Sequence, residues 1–412
     1  MAEAKQPSLE DTQRMDFIKK KFRHYYSKVN IEAPARLENR EFGVITERGG
    51  MWRHLGFPSQ KEMQAFLVKQ APLHAYHSST YYTKPNARTM DEKGWLGADL
   101  IFDLDADHIQ GTENMNMEDM LAAVKVQFLK LVNEFLLGDF GFSEDEVKIV
   151  FSGGRGYHAH VSNESVLNLD SHERREIVDY ITLPDPDIEK LIIKEIFSSS
   201  TYQGHDNKRY IFKLYPPETA GWKGKTTRGI LNFIDRTEGM SRDETLDELI
   251  SYKGIGMQTA ERIYDDLFMG NPGDRGIDKI RSEHTLDAIG DDSVRNSFVK
   301  NVLKSMSVGQ SGETDEPVTT DVKRLIRLPW SLHGKTSLVV RTMNVTELED
   351  FLPLRDSIWA GFDGHPVNVM GLTDHEIKLK NEVFRVKKGS KSVLPEHAAL
   401  MMICQKKCYI LI

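Results

Sequence analysis

The segment LIFDLDADH (Leu100–His108) is the first of three motifs that indicate the fold and the site of this chain. Three apolar residues lead into acids at alternate positions, a pattern typical of a buried strand that ends at a functional site. Because side chains alternate between the two faces of a strand, Asp103 and Asp105 share one face while Leu104 points into the core. Two carboxylates at this spacing can share divalent cations, which prefer oxygen ligands. The segment therefore predicts a central strand with a metal site at its end.

Other proteins use the same Asp-x-Asp pattern, and three alternatives follow from it. A surface strand can carry alternate acids, but the apolar approach argues against that interpretation. Phosphatases of the haloacid-dehalogenase class have Thr or Val soon after the second acid. This chain has Ala106 and Asp107 there, which disfavours that alternative. Many glycosyltransferases bind a metal–nucleotide complex through such a pair, and that alternative stays open here.

The segment VKIVFSGGRGYHAHV (Val147–Val161) is the second motif, a strand, a glycine-rich turn and another strand. Glycines let backbone N–H groups approach an anion closely, and Ser152 opens the turn. Arg155 adds a planar charged fork that matches phosphate oxygens. On the second strand His158 and His160 share one face. The motif predicts a cradle for a triphosphate.

Three other interpretations of this motif are possible. The stretch Gly154–Ala159 matches a loose dinucleotide-binding fingerprint, but that fingerprint needs a helix after the turn, and the residues here favour a strand. The two histidines could bind a metal ion, although no further clustered His or Cys supports them. The motif could also be a plain hairpin turn, but a turn of that kind does not account for Arg155 among the glycines.

The third motif is DEPVTTDVKRLIRLPWSLHGKT (Asp315–Thr336). Thr320 or Asp321 can cap a short basic helix that ends at Pro329. An extended segment then points its polar side chains one way, namely Ser331, His333 and Lys335. A solvated basic helix without a functional role is the alternative.

Composition limits the function classes without choosing among them. The 412 residues are 39% hydrophobic and 28% charged, enough to bury a sizeable core. The net charge of −8 argues weakly against a nucleic-acid surface, yet Val322–Arg341 is locally basic. No apolar run of about 18 residues and no signal-peptide core occur, so we expect a cytoplasmic protein without a membrane span.

The order of strand and helix patterns predicts a discontinuous α/β (α+β) unit, residues 1–170 and 309–412, interrupted by a mainly helical insert, residues 171–308. Polar loops are expected within the insert at Thr201–Lys208 and Gly270–Gly276. The insert also contains Leu249–Ile263, a pattern similar to a helix-hairpin-helix whose turn amides can contact a DNA phosphate. A glycine-turned helical pair that merely packs is an equal alternative.

Together and in this order, the motifs closely resemble the small subunit of archaeo-eukaryotic primases, and they favour the archaeal branch. The resemblance covers nearly the whole chain outside residues 171–308. It is carried by six blocks: REFG (Arg40–Gly43), MWRHLGF (Met51–Phe57), KGWLGADLIFDLDADH (Lys93–His108), SGGRGYHAHV (Ser152–Val161), DEPVTTDVKRLIRLPWSLHGKT (Asp315–Thr336) and VLPEHAALMMI (Val393–Ile403).

The resemblance implies a primase-type catalytic core of mixed sheets and flanking helices, and it implies site residues. Mg²⁺ or Mn²⁺ would be held by Asp103, Asp105 and Asp315, with Asp321 a weaker candidate for the third acid. The incoming triphosphate would be bound by five residues: Ser152, Arg155, His158, His333 and Lys335.

The implied activity is that of a DNA-directed nucleotidyltransferase, which builds short primers from nucleoside triphosphates on a single-stranded DNA template during replication. The implied partner is a primase large subunit with an iron–sulfur domain, in a heterodimer. A repair or gap-filling polymerase of the same superfamily would use the same site. A non-catalytic DNA-binding subunit is the alternative from another class.

The chain differs from many members of the family in lacking the cysteines of a zinc-binding cluster. Many members carry a zinc-binding Cys/His cluster near the Asp-x-Asp strand, but the cysteines of this chain are Cys404 and Cys408 alone. Structural zinc sites need about four N or S ligands, so no structural zinc is expected. The two cysteines are expected to be free thiols in a C-terminal strand, in a reducing compartment.

Overall fold

The computed structural model describes residues 9–47, 49–109, 111–202, 205–308 and 316–411. Its contacts divide the chain into two units, Met1–Val178 with Glu313–Ile412, and Asp179–Gly312. The expected α+β class is confirmed, since helices and antiparallel sheets both contribute throughout. The boundaries derived from the sequence, at residues 170 and 309, stay a prediction.

The strands, in chain order, are β1 Arg40–Ile45, β2 Met51–Leu55, β3 His74–Tyr82, β4 Trp95–Ala98, β5 Leu100–Asp105, β6 Val147–Phe151, β7 Gly156–Val161, β8 Ile193–Tyr202, β9 His205–Lys213, β10 Leu325–Arg327, β11 Arg341–Met343, β12 Val367–Gly371, β13 His375–Leu379, β14 Glu382–Val386, β15 Lys391–Leu394 and β16 Cys408–Ile410. The strands expected in the first two motifs are confirmed, at Leu100–Asp105, Val147–Phe151 and Gly156–Val161.

The α-helices are α1 Leu9–Lys28, α2 Gln60–Gln70, α3 Met90–Lys93, α4 Met117–Lys130, α5 Glu164–Leu167, α6 Ser171–Thr182, α7 Ile188–Leu191, α8 Gly221–Thr237, α9 Arg242–Ser251, α10 Met257–Phe268, α11 Gly276–Glu283, α12 Asp292–Met306, α13 Glu316–Thr320, α14 Val345–Asp350, α15 Pro353–Asp356 and α16 Glu396–Cys404. A π-helical segment, Leu131–Asp139, continues α4. Short 3₁₀ turns lie at Leu37–Asn39, Ala106–His108, Glu144–Glu146 and Ala360–Phe362.

Two antiparallel sheets in the first unit position the site. One has the order β10-β3-β1-β2, with β4 also paired to β3, and the other has the order β11-β6-β7-β5. The expectation that Leu100–Asp105 is a central strand is wrong, because β5 lies at the edge of its sheet. Its apolar residues are nevertheless buried, since Val318 of α13 and Ile326 of β10 pack on Ile101.

Two further expectations about local structure are wrong. Thr201–Lys208 is not a polar loop, because most of it belongs to the β8–β9 hairpin, whose cross-strand pairing overrides the polar composition. The basic helix before Pro329 is also absent, since α13 ends at Thr320 and Leu325–Arg327 pairs with β3 instead. That partner strand lies about 250 positions earlier in the chain, where no local sequence pattern could indicate it.

The C-terminal thiols occupy two different elements. Cys404 ends α16 and Cys408 opens β16, so the expectation of a shared strand is wrong. Both are buried free cysteines, and burial raises the pKa of each thiol to about 12. Among the described residues, no helix has both the length and the apolar character needed to cross a membrane.

The second unit is built around two long helices, α8 and α12, whose facing side chains include Ile230, Phe233 and Phe298. Leu249–Ile263 spans the end of α9, a turn with Gly254 at a φ of 84°, and the start of α10. The role of this helical pair in binding DNA stays a prediction.

Candidate active site

The two acids of the first motif lie at the end of β5, where the apolar core gives way to a cleft. Both side chains are partly buried, and the Asp105 carboxylate has one oxygen, Oδ1, that is buried and accepts no hydrogen bond from the described residues. Burial, followed by the neighbouring Asp103 carboxylate, raises the pKa of Asp105 to about 6. A buried carboxylate oxygen left in this state fits a ligand for a cation.

The structure describes two of the three acids named from the sequence. Asp315 lies outside the described residues. Among the residues that are described, no set of three or more His, Cys, Asp or Glu side chains is arranged to hold a metal ion. Asp103 and Asp105, which both line the same cavity, supply two carboxylates that could contribute to one.

Strand β7 places His158 directly across from Asp103 and Gly156 across from Asp105. His158 Nε2 lies 3.4 Å from Asp103 Oδ1. Burial lowers the pKa of His158 to about 4, even though Asp105 acts in the opposite direction. The imidazole is therefore neutral at neutral pH, and it offers a hydrogen bond without adding a full charge.

The glycine-rich turn is held by Ser152, whose Oγ accepts the backbone N–H groups of Gly154 at 3.2 Å and Gly156 at 3.3 Å. Gly153 has a φ of 73°, a conformation that favours glycine. A Cβ built on Gly156 would lie 2.0 Å from Asp105 Oδ1, so no side chain fits there. The turn therefore packs its backbone directly against the acid pair.

Arg155 extends from this turn with about half of its side chain exposed, and it forms an ion pair with Asp107 at 58% exposure. The ion pair joins the first two motifs through their side chains, in addition to the strand pairing. An exposed pair of this kind contributes little to stability, so the guanidinium can exchange its partner for a ligand oxygen.

The third motif reaches the site through a turn, and the expectation of one continuous extended segment is wrong. His333 N–H donates to Leu338 O at 2.9 Å, so the chain reverses at Gly334–Thr336. Ser331 does not point with the other polar residues, because it is fully buried and its hydroxyl donates to Leu328 O at 2.7 Å.

This turn docks on the glycine-rich turn. Thr336 Oγ1 donates to Gly153 O at 2.5 Å and lies 3.1 Å from His333 Nδ1. The His333 ring packs edge-on against His74, with ring centroids 4.9 Å apart. Burial holds the pKa of His333 well below its ordinary value, so this imidazole is also neutral.

These elements enclose a cavity of about 670 Å³. Every site residue that was named from the sequence and lies in the described part of the chain lines it, namely Asp103, Asp105, Ser152, Arg155, His158, His333 and Lys335. The cavity falls within the range of roughly 300–1,000 Å³ that is typical of small-molecule sites. Acidic and basic side chains from three distant parts of the sequence therefore line the same cavity.

The sequence-based assignment missed other residues that line the cavity, above all Arg324 and Arg327. Arg327 stacks over the Tyr76 ring at 4.6 Å and donates to His74 Nδ1 at 2.5 Å. Burial lowers its pKa. Treating Leu325–Arg327 as a strand would have given Leu325 and Arg327 a common face. Three methionines also line the cavity: Met115, Met117 and Met120.

Comparison with known proteins places this chain in a family. Residues 102–345 match the family model described as DNA primase small subunit. The DNA primase small subunit of Methanocella arvoryzae is 37% identical over 394 residues, which cover 94% of this chain and 96% of that protein. That of Methanococcoides burtonii is 38% identical over 400 residues, covering 94% and 96%. That of Methanothrix thermoacetophila is 39% identical over 394 residues, covering 94% and 97%. The chain belongs to the DNA primase small subunit family.

Proposed function

We propose that this primase catalytic subunit joins nucleoside triphosphates into primers in the cavity between Asp103, Arg155 and Lys335. One observation carries the proposal: the cavity combines a pair of acids with cationic and neutral hydrogen-bond donors. A metal–triphosphate complex needs both kinds of group at once, oxygen ligands for the cations and donors for the phosphate oxygens.

The acids supply the cation side of the site. Asp103 and Asp105, with Asp315 as the proposed third ligand, would hold Mg²⁺ or Mn²⁺. Such cations, when bound, activate a primer 3′-hydroxyl and stabilise the leaving pyrophosphate. The buried and unpaired Oδ1 of Asp105 supports this assignment, because that oxygen has a desolvation cost that a cation would offset.

Other residues of the same cavity would bind the phosphates. Arg155 and Lys335 supply full charges, whereas His158 and His333 supply neutral donors that do not compete with the cations. Ser152 holds the shape of the turn, because its Oγ accepts the backbone N–H groups of Gly154 and Gly156. Phosphoryl transfer depends mainly on positioning and electrostatic stabilisation, so these residues need no large acid–base role.

The proposed partners are a primase large subunit, in a heterodimer, and a single-stranded DNA template. The test is template-dependent synthesis by the purified chain without any primer, with Mg²⁺ or Mn²⁺, and with and without the large subunit. Asp103→Ala and Asp105→Ala should each abolish incorporation while leaving the melting temperature close to that of the wild type. Asp145→Ala, which removes an exposed acid outside the cavity, is the matched control and should stay active.

Two results would redirect the proposal. Extension of a supplied primer or filling of a gap, without any primer-free product, would favour a repair polymerase that uses the same site. An inactive wild-type chain, even with the large subunit present, would favour a non-catalytic DNA-binding role.

A further inference from the structure

The β8–β9 hairpin of the second unit pairs with no other described strand, so it forms a two-stranded sheet by itself. Its strands are ten and nine residues long. An isolated two-stranded hairpin is only marginally stable in water. This hairpin is anchored at its base, where Lys213 forms a β-bridge with Thr285 and the Arg295 guanidinium of α12 stacks on the Phe212 ring at 3.6 Å. Beyond this base, residues 194–199 of β8 and 208–210 of β9 are exposed, which makes this part of the hairpin a candidate binding surface.

The hairpin exposes large apolar side chains. Phe197 is 65% exposed, Ile196 is 56% exposed and Tyr210 is 39% exposed. Ile196 pairs with Tyr210 and Ser198 pairs with Arg209, so Phe197 is the extra residue of a β-bulge. Bulges re-aim a side chain and are common next to functional sites. The bulge therefore presents an aromatic ring to solvent on an otherwise regular ribbon.

The same ribbon is basic on a protein whose net charge is −8. Lys208 and Arg209 are exposed on β9 immediately before Tyr210. Lys194 Nζ lies 4.8 Å from the Tyr210 ring centroid, and Lys213 pairs with Glu195 at 3.1 Å. Lys194 therefore lies beside the exposed Tyr210 ring, and two further exposed cations, Lys208 and Arg209, precede that ring along β9.

We propose that this hairpin binds single-stranded nucleic acid, with the rings of Phe197 and Tyr210 stacking on bases and with Lys208 and Arg209 contacting phosphates. A single strand exposes the faces of its bases, whereas a duplex buries them in its own stack, so exposed aromatic rings favour the single strand. That the strand is the primase template rests on the proposed function. Binding itself does not.

The test is the binding of the full chain to a fluorescein-labelled oligothymidylate, followed by anisotropy, without nucleotide or divalent metal. Phe197→Ser should weaken binding by about tenfold, the size expected for one lost base stack. The double variant Lys208→Gln/Arg209→Gln should also weaken binding. Its slope of log K against log salt should become shallower by roughly 1.4, because each lost phosphate contact on a single strand removes about 0.7.

The control is Lys279→Gln/Lys300→Gln, which removes the same charge from α11 and α12 of the same unit and should bind like the wild type. Circular dichroism and thermal melting check that each variant is folded. Phe197, Lys208 and Arg209 are exposed, and the ion pairs of Lys279 with Asp274 and of Lys300 with Asp185 lie at the surface, where such pairs contribute little to stability. We therefore expect melting temperatures close to that of the wild type. At saturating template the hairpin variants should retain primer synthesis, with a raised KM for template.

Three outcomes decide the proposal. If the hairpin variants bind as the wild type does, or if the control pair weakens binding equally, the proposal is wrong. If they bind DNA normally but lose self-association or binding of the large subunit, the hairpin is a protein-docking surface and the proposal is also wrong. If the wild-type chain makes no primers, yet binding falls in the hairpin variants alone, the hairpin proposal stands and the proposed function falls.

Discussion

Asp321 has a local structural task that separates it from the proposed metal ligands. Its Oδ1 accepts the backbone N–H of Lys323 at 2.8 Å, in the turn that follows α13, and it does not line the cavity. We therefore expect Asp321→Asn to keep most activity, because an amide oxygen accepts the same bond. Asp315→Asn should eliminate nucleotide incorporation with little loss of melting temperature. The reverse pattern would assign the third ligand to Asp321.

Arg155 and Lys335 approach the cavity from different turns, and each is proposed to bind the triphosphate. Hydrogen bonds to charged groups contribute about 1.5–3 kcal/mol, so Arg155→Ala or Lys335→Ala should raise the nucleotide KM roughly 10- to 150-fold. Because the contact is to phosphate, steady-state kinetics should show the same change for all four bases. Lys323→Ala, an exposed cation of the same basic segment outside the cavity, should leave KM unchanged. A base-dependent effect would contradict the phosphate role.

At the scale of elements, the pairing of β5 with β7 brings the acid pair against the glycine-rich turn. The pairing leaves no room at Gly156, where a Cβ would also lie 2.3 Å from Leu104 O. Gly156→Ala should therefore lower the free energy of unfolding by about 3 kcal/mol or more, as overpacking of a rigid backbone contact does. Gly239→Ala is the control, since a Cβ at that position would have nothing within 4 Å of it. Urea titrations of both variants measure the difference, and equal stabilities would contradict the packing argument.

Strand β10 gives the basic segment before Pro329 a different role from the one that the predicted helix would give it. In a helix, the basic side chains before Pro329 would be distributed around the helix axis. As a strand paired with β3, it sets Arg327 beside Tyr76 and directs that guanidinium into the cavity. These residues therefore line the site, whereas the predicted helix would have exposed them to solvent.

At the scale of the whole molecule, the composition predicts a primase subunit without structural zinc. The buried thiols Cys404 and Cys408 follow one another near the C-terminus, and their raised pKa values disfavour the thiolates that zinc binds. Elemental analysis after extensive dialysis should find no stoichiometric zinc. A chelator should leave the melting temperature unchanged, and added magnesium or manganese should restore activity fully. One zinc per chain would overturn this prediction.

The sequence by itself determined the strands that carry the acids and the glycine-rich turn, because their periodicity and turn residues are local signals. It also determined the family, since six separated blocks occur in one order. Seven residues of the cavity could be named from it, among them Asp103, Arg155 and His333.

The packing of one element on another could not be predicted, because it depends on contacts between segments that are distant in the chain. The edge position of β5, the strand character of Leu325–Arg327 and the exposed β8–β9 hairpin all depend on partners that are distant in the chain or lacking among the described strands. The position of Arg327 in the cavity has the same cause, because it depends on the pairing of β10 with β3. Local patterns encode the periodicity of a strand, whereas the choice of its neighbours is made by long-range packing, which a single sequence does not display.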